Sequence, residues 1–509
     1  MKTIRKVLIA NRGEIAIRVM RTCHELGIQT VAVFSEADAL APHVQYANES
    51  VLIGPAPSTQ SYLVIDRIIE AAKATQSDAI HPGYGFLSEN VGFAERCDQE
   101  GILFIGPPPE AIDLMGDKTR ARILMEAAGV PLPPGTTTAL ENIEEARDVA
   151  DAIGYPVLIK AAAGGGGKGM RIVHQATDFE SNIRQAKSEA LNAFGDDRVY
   201  VEKYVEMPRH VEVQIMADQQ GNVVHFYDRE CSVQRRHQKV VEEAPCAFIS
   251  DQLRQKMTRA AITAAKQCGY VGAGTVEFLV DKHHNYFFLE MNTRLQVEHP
   301  ITELITGVDL VALQLLVAEG KPLPLRQEDI SINGHAIECR ICAEDPMQQF
   351  LPSVGRLTRH RPPSGPGVRI DSGVEEEQEI SINYDPLLTK LCTWAPTRRQ
   401  AIDRMKRALA EYAIEGCKTT IPFCHFVMEH PAFIEAHYDT HFIKDHFRPD
   451  ENHPYATPSL NQAIHQPIPD EIQALAAVLL NQSVELPLVQ TEMKGSATSD
   501  ITPWWLNRK

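Results

Sequence analysis

The stretch TVEFLVDKHHNYFFLEMNTRLQVEHP, Thr275 to Pro300, constrains the fold of this chain more than any other. Two apolar runs flank DKHHN, so the segment reads as a β-hairpin turning at His283 and His284. That centring places Glu277 opposite Glu290, sends Phe278 and Leu289 to the other face, and keeps Asn292 beside the carboxylates. Further on, Arg294, Gln296 and Glu298 keep the same alternation, which on a continued strand is one polar face. Facing carboxylates among so many aromatic and aliphatic neighbours repel each other unless a cation lies between them. All-oxygen ligation by Glu277, Glu290 and Asn292 suits Mg²⁺ or Mn²⁺, ions that commonly carry nucleotide phosphates. The competing reading, a solvated charged face, fits poorly with a run as apolar as YFFLEM.

Residues 4–34 read as strand, helix, strand, and AIHPGYGF and ILFIG extend an α/β pattern that predicts a doubly wound parallel sheet. The first turn, NRGE, lacks a dinucleotide fingerprint. From about residue 117 the pattern shifts to strands and hairpins, and residues from about 333 read as a further α+β unit with a helix over TRRQAIDRMKRALAEYAIEG. The 509 residues allow two to four domains, and no apolar run approaches the ~20 residues of a membrane span. MKTIRKVLIANRGE reads directly into a strand, without the pattern of a signal peptide. A net charge of −17 argues against a nucleic-acid binder. Ten scattered cysteines point to reduced thiols in a cytoplasmic setting. Cys339 and Cys342 stand three apart on a predicted strand, facing opposite ways, and read as thiols packed inside.

Several cationic and glycine-rich segments add to the hairpin. GGGGKGM, Gly164 to Met170, sits between two predicted strands; the residue after Lys168 is Gly169, so it is no P-loop. A glycine run is often a plain surface turn, but here Gly165, Gly166 and Gly167 with Lys168 suit a flap closing on phosphates. Lys160, inside an apolar strand, needs an anion, and Lys118, Gln234, His237 and Lys239 add polar groups to the same region. Each alone reads as surface; together with the carboxylate pair they make ATP the expected ligand.

KVLIANRGEIAIRVMR, HPGYGFLSEN, FIGPPPEAIDLMGDK, GGGGKGM, YVEMPRHVEVQIMAD, ECSVQRRHQKVVEEAP and FLEMNTRLQVEHPITE together resemble the biotin carboxylases of the ATP-grasp superfamily, over residues 1–447. The resemblance implies an N-terminal domain over 1–116, an ATP-grasp domain over 117–332 with a lid at about 133–205, a C-terminal domain over 333–447, and a tail, 448–509. It implies that Lys118, Lys160, His210, Gln234 and His237 meet ATP beneath the flap, with Glu202, Lys203 and Val205 at the adenine hinge and His441 closing that side. Glu277, Glu290 and Asn292 match the metal ligands, with two ions expected. Lys239 matches the lysine aimed at the γ-phosphate. Arg294, Gln296 and the Val297 backbone match the bicarbonate cradle, Glu298 the general base, and Arg340 the arginine facing the biotin ureido oxygen. Lys168 departs from the arginine of many relatives, keeping the charge and losing the two-pronged fork.

The implied reaction carboxylates biotin on a separate carrier protein through carboxyphosphate, for an acetyl- or propionyl-CoA carboxylase. The alternatives are a two-subunit pyruvate carboxylase or another ATP-grasp carboxylate ligase. A carrier lysine is not expected here, since TEMKGS at Lys494 reads as surface. Carrier and carboxyltransferase subunits are the expected partners, with a homodimer whose contact lies near Arg18. In the tail, Ile472, Leu475, Ala476 and Leu479 form an apolar stripe and Trp504 and Trp505 stand adjacent, a pattern for self-packing or for docking of a partner.

Overall fold

The computed structural model describes residues 3–448 except 137, 139, 141 and 162–169. Gly165, Gly166, Gly167 and Lys168 therefore lie outside the described residues, as do Lys494, Trp504, Trp505 and the tail's apolar stripe.

The chain opens with β1 (Lys6–Ile9), α1 (Gly13–Glu25), β2 (Gln29–Ser35), β3 (Glu49–Gly54), β4 (Ala79–His81) and β5 (Leu103–Phe104). They form an all-parallel sheet in the order β3-β2-β1-β4-β5, as the α/β pattern predicts. Ile15, Ala16, Val19, Met20 and Cys23 recur at helical spacing and bury one face of α1 in the core. At the C-terminal end of β1, where the strand order switches direction, open parallel sheets take their ligands. Asn11 sits there, its Nδ2 donating to the carbonyls of Pro82 (2.8 Å) and Tyr84 (2.7 Å), which clips the first turn to the loop after β4.

A smaller unit follows: α2 (Ile143–Ile153), β6 (Val157–Ala161), β7 (Arg171–Val173), α3 (Phe179–Phe194) and β8 (Val199–Lys203). Its sheet, β7-β6-β8, has its own core of Ala146, Ala150, Val157, Ile159, Phe179, Ile183 and Val201. Gly195, at φ +74°, ends α3 in the left-handed conformation that a Cβ disfavours. Phe179 is fully buried at the centre of this small core. Phe179→Ala is expected to cost about 3–5 kcal/mol, enough to open the unit locally. Limited proteolysis should then cut within 140–203 faster than elsewhere.

Eight longer strands follow: β9 (Arg209–Ala217), β10 (Val223–Arg235), β11 (Gln238–Ala244), β12 (Gly272–Val280), β13 (Tyr286–Asn292), β14 (His335–Cys342), β15 (Val368–Ser372) and β16 (Leu387–Ala395). They form one antiparallel sheet, β13-β12-β9-β10-β11-β14-β16-β15. The α+β unit from residue 333 thus adds its three longest strands to the existing sheet through the β11–β14 ladder, and its short strands pair among themselves in two-stranded sheets. Arg236 and His237, at φ +48° and +68°, form the two-residue turn that joins β10 to β11 with the twist such hairpins need. Among the described residues no single helix is long and apolar enough to cross a membrane. All ten cysteines are free thiols; Cys342 is partly exposed.

The hairpin differs from expectation in one detail. Glu277 does pair with Glu290, but Phe278 pairs with Phe288, so Leu289 is an extra residue that bulges between them. The turn is one residue tighter than predicted, and the bulge restores the carboxylate register. The strand also ends at Asn292: residues 293–297 turn, and Glu298 is the N-cap of α5 (His299–Thr306), which follows the long helix α4 (Asp251–Gln267). Arg294, Gln296 and Glu298 are brought together by a turn and not by strand alternation, because the chain must bend to start the helix.

Candidate active site

All nine residues of β9 are buried, including the polar series His210, Glu212 and Gln214. A polar face shut away from water must be paired within the protein, and the pairing centres on two cations. The Lys239 ammonium, on β11, contacts Glu212, Glu277 (3.0 Å) and Glu298 (2.6 Å), one carboxylate for each of its protons. Burial alone would depress its pKa, but three carboxylates hold it well above the ordinary value. The Arg229 guanidinium, fully buried on β10, contacts Glu212 and donates to Gln214 (2.8 Å), Thr302 (2.9 Å) and Gln296 (2.7 Å).

Glu277 gathers further neighbours: Asn292 Nδ2 and Gln296 Nε2 each donate to Oε1 at 2.9 Å, and His210 Nε2 lies 3.0 Å from Oε2. Glu290, across the ladder, is exposed. Asn292 directs its amide oxygen to Arg294 Nη2 (2.9 Å), whose Nε donates to Glu89 (2.9 Å). Glu298 spans the site: its second oxygen accepts from Arg340 Nη2 (2.9 Å). Burial would raise the Glu298 pKa, yet Lys239, Arg340 and Arg229 hold it well below the usual carboxylate range.

On the far side of Glu298 a cavity of about 450 Å³ opens between the first parallel sheet and the large sheet. Lys239, Arg294, Val297 and Arg340 line it together with Asn11, Tyr84 and Tyr384. The Val297 carbonyl is taken by Lys390 Nζ (3.0 Å), so its N–H is the backbone group left to meet an anion.

A divalent cation fits these residues. Glu277 and Glu290 face one another on adjacent strands, and ligand atoms of His210, Glu212 and Glu277 lie within 4.8 Å of one another. Such an oxygen-rich set, in which Lys239 is the counter-charge, suits Mg²⁺ or Mn²⁺.

The other sequence-predicted residues sit on elements around this cluster. Gln234 pairs with Lys239 in the β10–β11 ladder, and His237 is exposed at the turn. Lys118 begins the helix Lys118–Ala127, where its charge bears on Glu290. Lys160 finds its anion in Glu202, on the neighbouring strand β8, so the lysine does not reach the central cluster. Lys203 donates its side chain to the carbonyls of Gly154 and Tyr155, both at 3.0 Å, and its backbone N–H to Pro134 O at 2.7 Å, and Val205 is buried two residues on. His441 Nδ1 lies 2.9 Å from an Asp439 oxygen, in a loop tied to the hinge by Thr440 N–H to Pro208 O (3.0 Å). Arg18 is buried against Glu303 (2.8 Å) and Asp309 (2.9 Å).

Three family models cover the chain: biotin carboxylase N-terminal domain at 3–112, carbamoyl-phosphate synthase L chain ATP binding domain at 117–326, and biotin carboxylase C-terminal domain at 338–445. The biotin carboxylase of Nostoc sp. is 53% identical over 440 residues, 86% of this chain and 98% of that one. The chain belongs to the biotin carboxylase family. A pyruvate carboxylase subunit of Methanothermobacter thermautotrophicus, another member, is 55% identical over 87% of this chain and 90% of its own length. The propionyl-CoA carboxylase alpha chain of Ruegeria pomeroyi is 51% identical over 87% of this chain and 68% of its own length. A biotin carboxylase–βγ-ATP complex from Campylobacter jejuni superposes with a TM-score of 0.84 at 50% identity, covering 87% of this chain and 99% of that one. The fold is that of an ATP-grasp biotin carboxylase, and the chain is an enzyme, a ligase of that fold.

Four residues that organise this biotin carboxylase site were not singled out from sequence: Glu89, Glu212, Arg229 and Glu242. The signal for Glu212 was present, since His210, Glu212 and Gln214 alternate in the apolar run RHVEVQIMA as the hairpin residues do. Arg229, in YDRECS, carries no such periodicity, and its role depends on strands remote in sequence.

Proposed function

We propose that this chain carboxylates the ureido nitrogen of carrier-borne biotin with ATP and bicarbonate. The observation that carries the reading is Lys239: one ammonium joins Glu277, of the cation site, to Glu298, whose other oxygen holds Arg340 at the cavity wall. Phosphate, bicarbonate and biotin functions thereby converge within one side chain's reach.

In this reading Lys118, Lys160, His210, Gln234, His237 and the hinge Glu202–Val205 receive ATP beneath the glycine flap, and His441 closes the adenine side. Arg294, Gln296 and the Val297 N–H hold bicarbonate in line with the γ-phosphate. Glu277 and Glu290, with Asn292, would hold Mg²⁺ or Mn²⁺, which neutralises phosphate charge when bound. Glu298 takes the bicarbonate proton as an oxygen of that anion attacks phosphorus and ADP leaves. Its low basicity in the ligand-free site is relieved as phosphate oxygens draw Lys239 away and a biotin carbonyl engages Arg340. Carboxyphosphate then breaks to CO₂ and phosphate, the released phosphate takes the ureido proton of biotin, and Arg340 stabilises the oxyanion as the ureido nitrogen attacks CO₂ and the N–C bond forms.

A biotin carboxyl carrier protein and a carboxyltransferase are the partners this reaction needs, and an acetyl- or propionyl-CoA carboxylase is the assembly we favour. Pyruvate as acceptor is the second reading, supported by the 55% identity to a component of a pyruvate carboxylase. The residues described here would meet biotin and not the final acceptor, so both readings share one active site. The test is ADP release by the purified chain with Mg²⁺, bicarbonate and free biotin, each omitted in turn. Turnover should need bicarbonate, rise with biotin, and vanish on chelation of divalent ions. Turnover indifferent to biotin would make the chain an ATP-grasp ligase for another acceptor. Reconstitution with copurifying subunits, offered propionyl-CoA or pyruvate, then decides the acceptor.

A further inference from the structure

Behind Arg340 lie two buried carboxylates that the reaction above does not use. Glu242 on β11 pairs in register with Glu338 on β14, and both side chains are wholly inaccessible to solvent. One Glu242 oxygen accepts from Arg340 Nε at 2.6 Å, while Nη2 of the same guanidinium donates to Glu298. One Glu338 oxygen faces the Cys392 thiol at 3.3 Å. The remaining oxygen of each, Oε2 of Glu242 and Oε1 of Glu338, is buried without a hydrogen-bond partner. Two orphaned acceptors on cross-strand neighbours are costly if both groups are ionised, and a proton between them satisfies both at once.

We propose that Glu242 and Glu338 share one proton and act as positioning residues for biotin: ionised Glu242 aims Arg340 into the cavity, and protonated Glu338 keeps Glu242 ionised by donating to it. The proposal rests on the role assigned above to Arg340. The groups facing the pair are Arg340 and Glu298, Lys239 and Cys231 from β11 and β10, and Lys390 and Cys392 from β16. Burial pushes Glu242 up to about 7, with Arg340 opposing, and pushes Glu338 well above the usual carboxylate range. As pH falls through about 7 the pair therefore takes a second proton, and Arg340 loses its ionic partner.

Three isosteric or near-isosteric variants test this, with free biotin as the varied substrate. Glu242→Gln should lower kcat/KM for biotin by about ten- to a hundredfold, leaving the KM for ATP far less affected. Glu338→Gln retains a donor beside Glu242 and should keep the acid limb of the biotin rate near the parent's pH. Glu338→Met removes that donor and should move the limb upward by about one pH unit. The infrared spectrum of the ligand-free protein at neutral pH should show a buried protonated carboxyl C=O stretch that Glu338→Gln abolishes. That band is independent of turnover, so its presence separates this proposal from a failure of the biotin reading itself. A Glu242→Gln enzyme within about twofold of parent for biotin, an unmoved limb in Glu338→Met, or no protonated carboxyl band would each overturn it.

Discussion

Glu298→Gln should reduce bicarbonate-dependent ADP release by about a hundredfold or more, the usual worth of a positioned general base. Glutamine keeps the volume and an acceptor at the head of α5, so the variant is expected to fold. What it loses is the anion between Lys239 and Arg340, at 2.6 and 2.9 Å. Without that charge the carboxylates that remain beside Lys239, Glu277 and Glu212, stay committed to the ammonium and do not replace it as the proton acceptor of the proposed reaction. The variant should also be less stable at neutral pH. Glu298 is held well below its ordinary pKa, so its contribution is complete above the unfolded value and fades only as pH falls through the depressed one. Single-turnover ADP formation with saturating ATP isolates the chemical step. A variant retaining more than about a tenth of parental rate would transfer the base role elsewhere.

How far the sequence anticipated this site varied with the range of the interactions. The hairpin was legible because its register is local: a short turn and two apolar runs suffice to oppose Glu277 and Glu290. Even there the bulge at Leu289 was invisible, since a one-residue compensation leaves the apolar pattern intact. The parallel sheet followed from strand–helix periodicity in residues 4–34, which α1 and β2 reproduce. The continuity of β11 with β14 was not legible, because a ladder between residues about a hundred apart leaves no local signature. For Lys160 the need of an anion was legible from its apolar strand, whereas its ion pair with Glu202 on the adjacent strand was not, because that partner is set by the β6–β8 ladder.

Arg229 is the residue whose loss should cost most in stability. Arg229→Met is expected to destabilise the large sheet by about 3–5 kcal/mol in denaturant titration. Methionine fills most of the volume, so the cost is neither a cavity nor lost packing. It arises because Glu212 remains an ion at zero exposure with Lys239 as its close partner, while Gln214, Thr302 and Gln296 lose their donor. If that account holds, removing the stranded anion should restore much of the loss. The double variant Arg229→Met/Glu212→Met should recover more than about half of the single variant's deficit, because a buried pair replaced on both sides no longer leaves a charge uncompensated. It should not recover activity: Gln296 keeps its contact to Glu277 but loses the guanidinium that fixes its amide oxygen, so the KM for bicarbonate should rise in single and double variants alike. Additive destabilisation in the double variant would mean that Arg229 acts through packing. Recovery of stability without recovery of bicarbonate affinity would separate the two duties of one buried arginine, neutralising Glu212 and aiming Gln296.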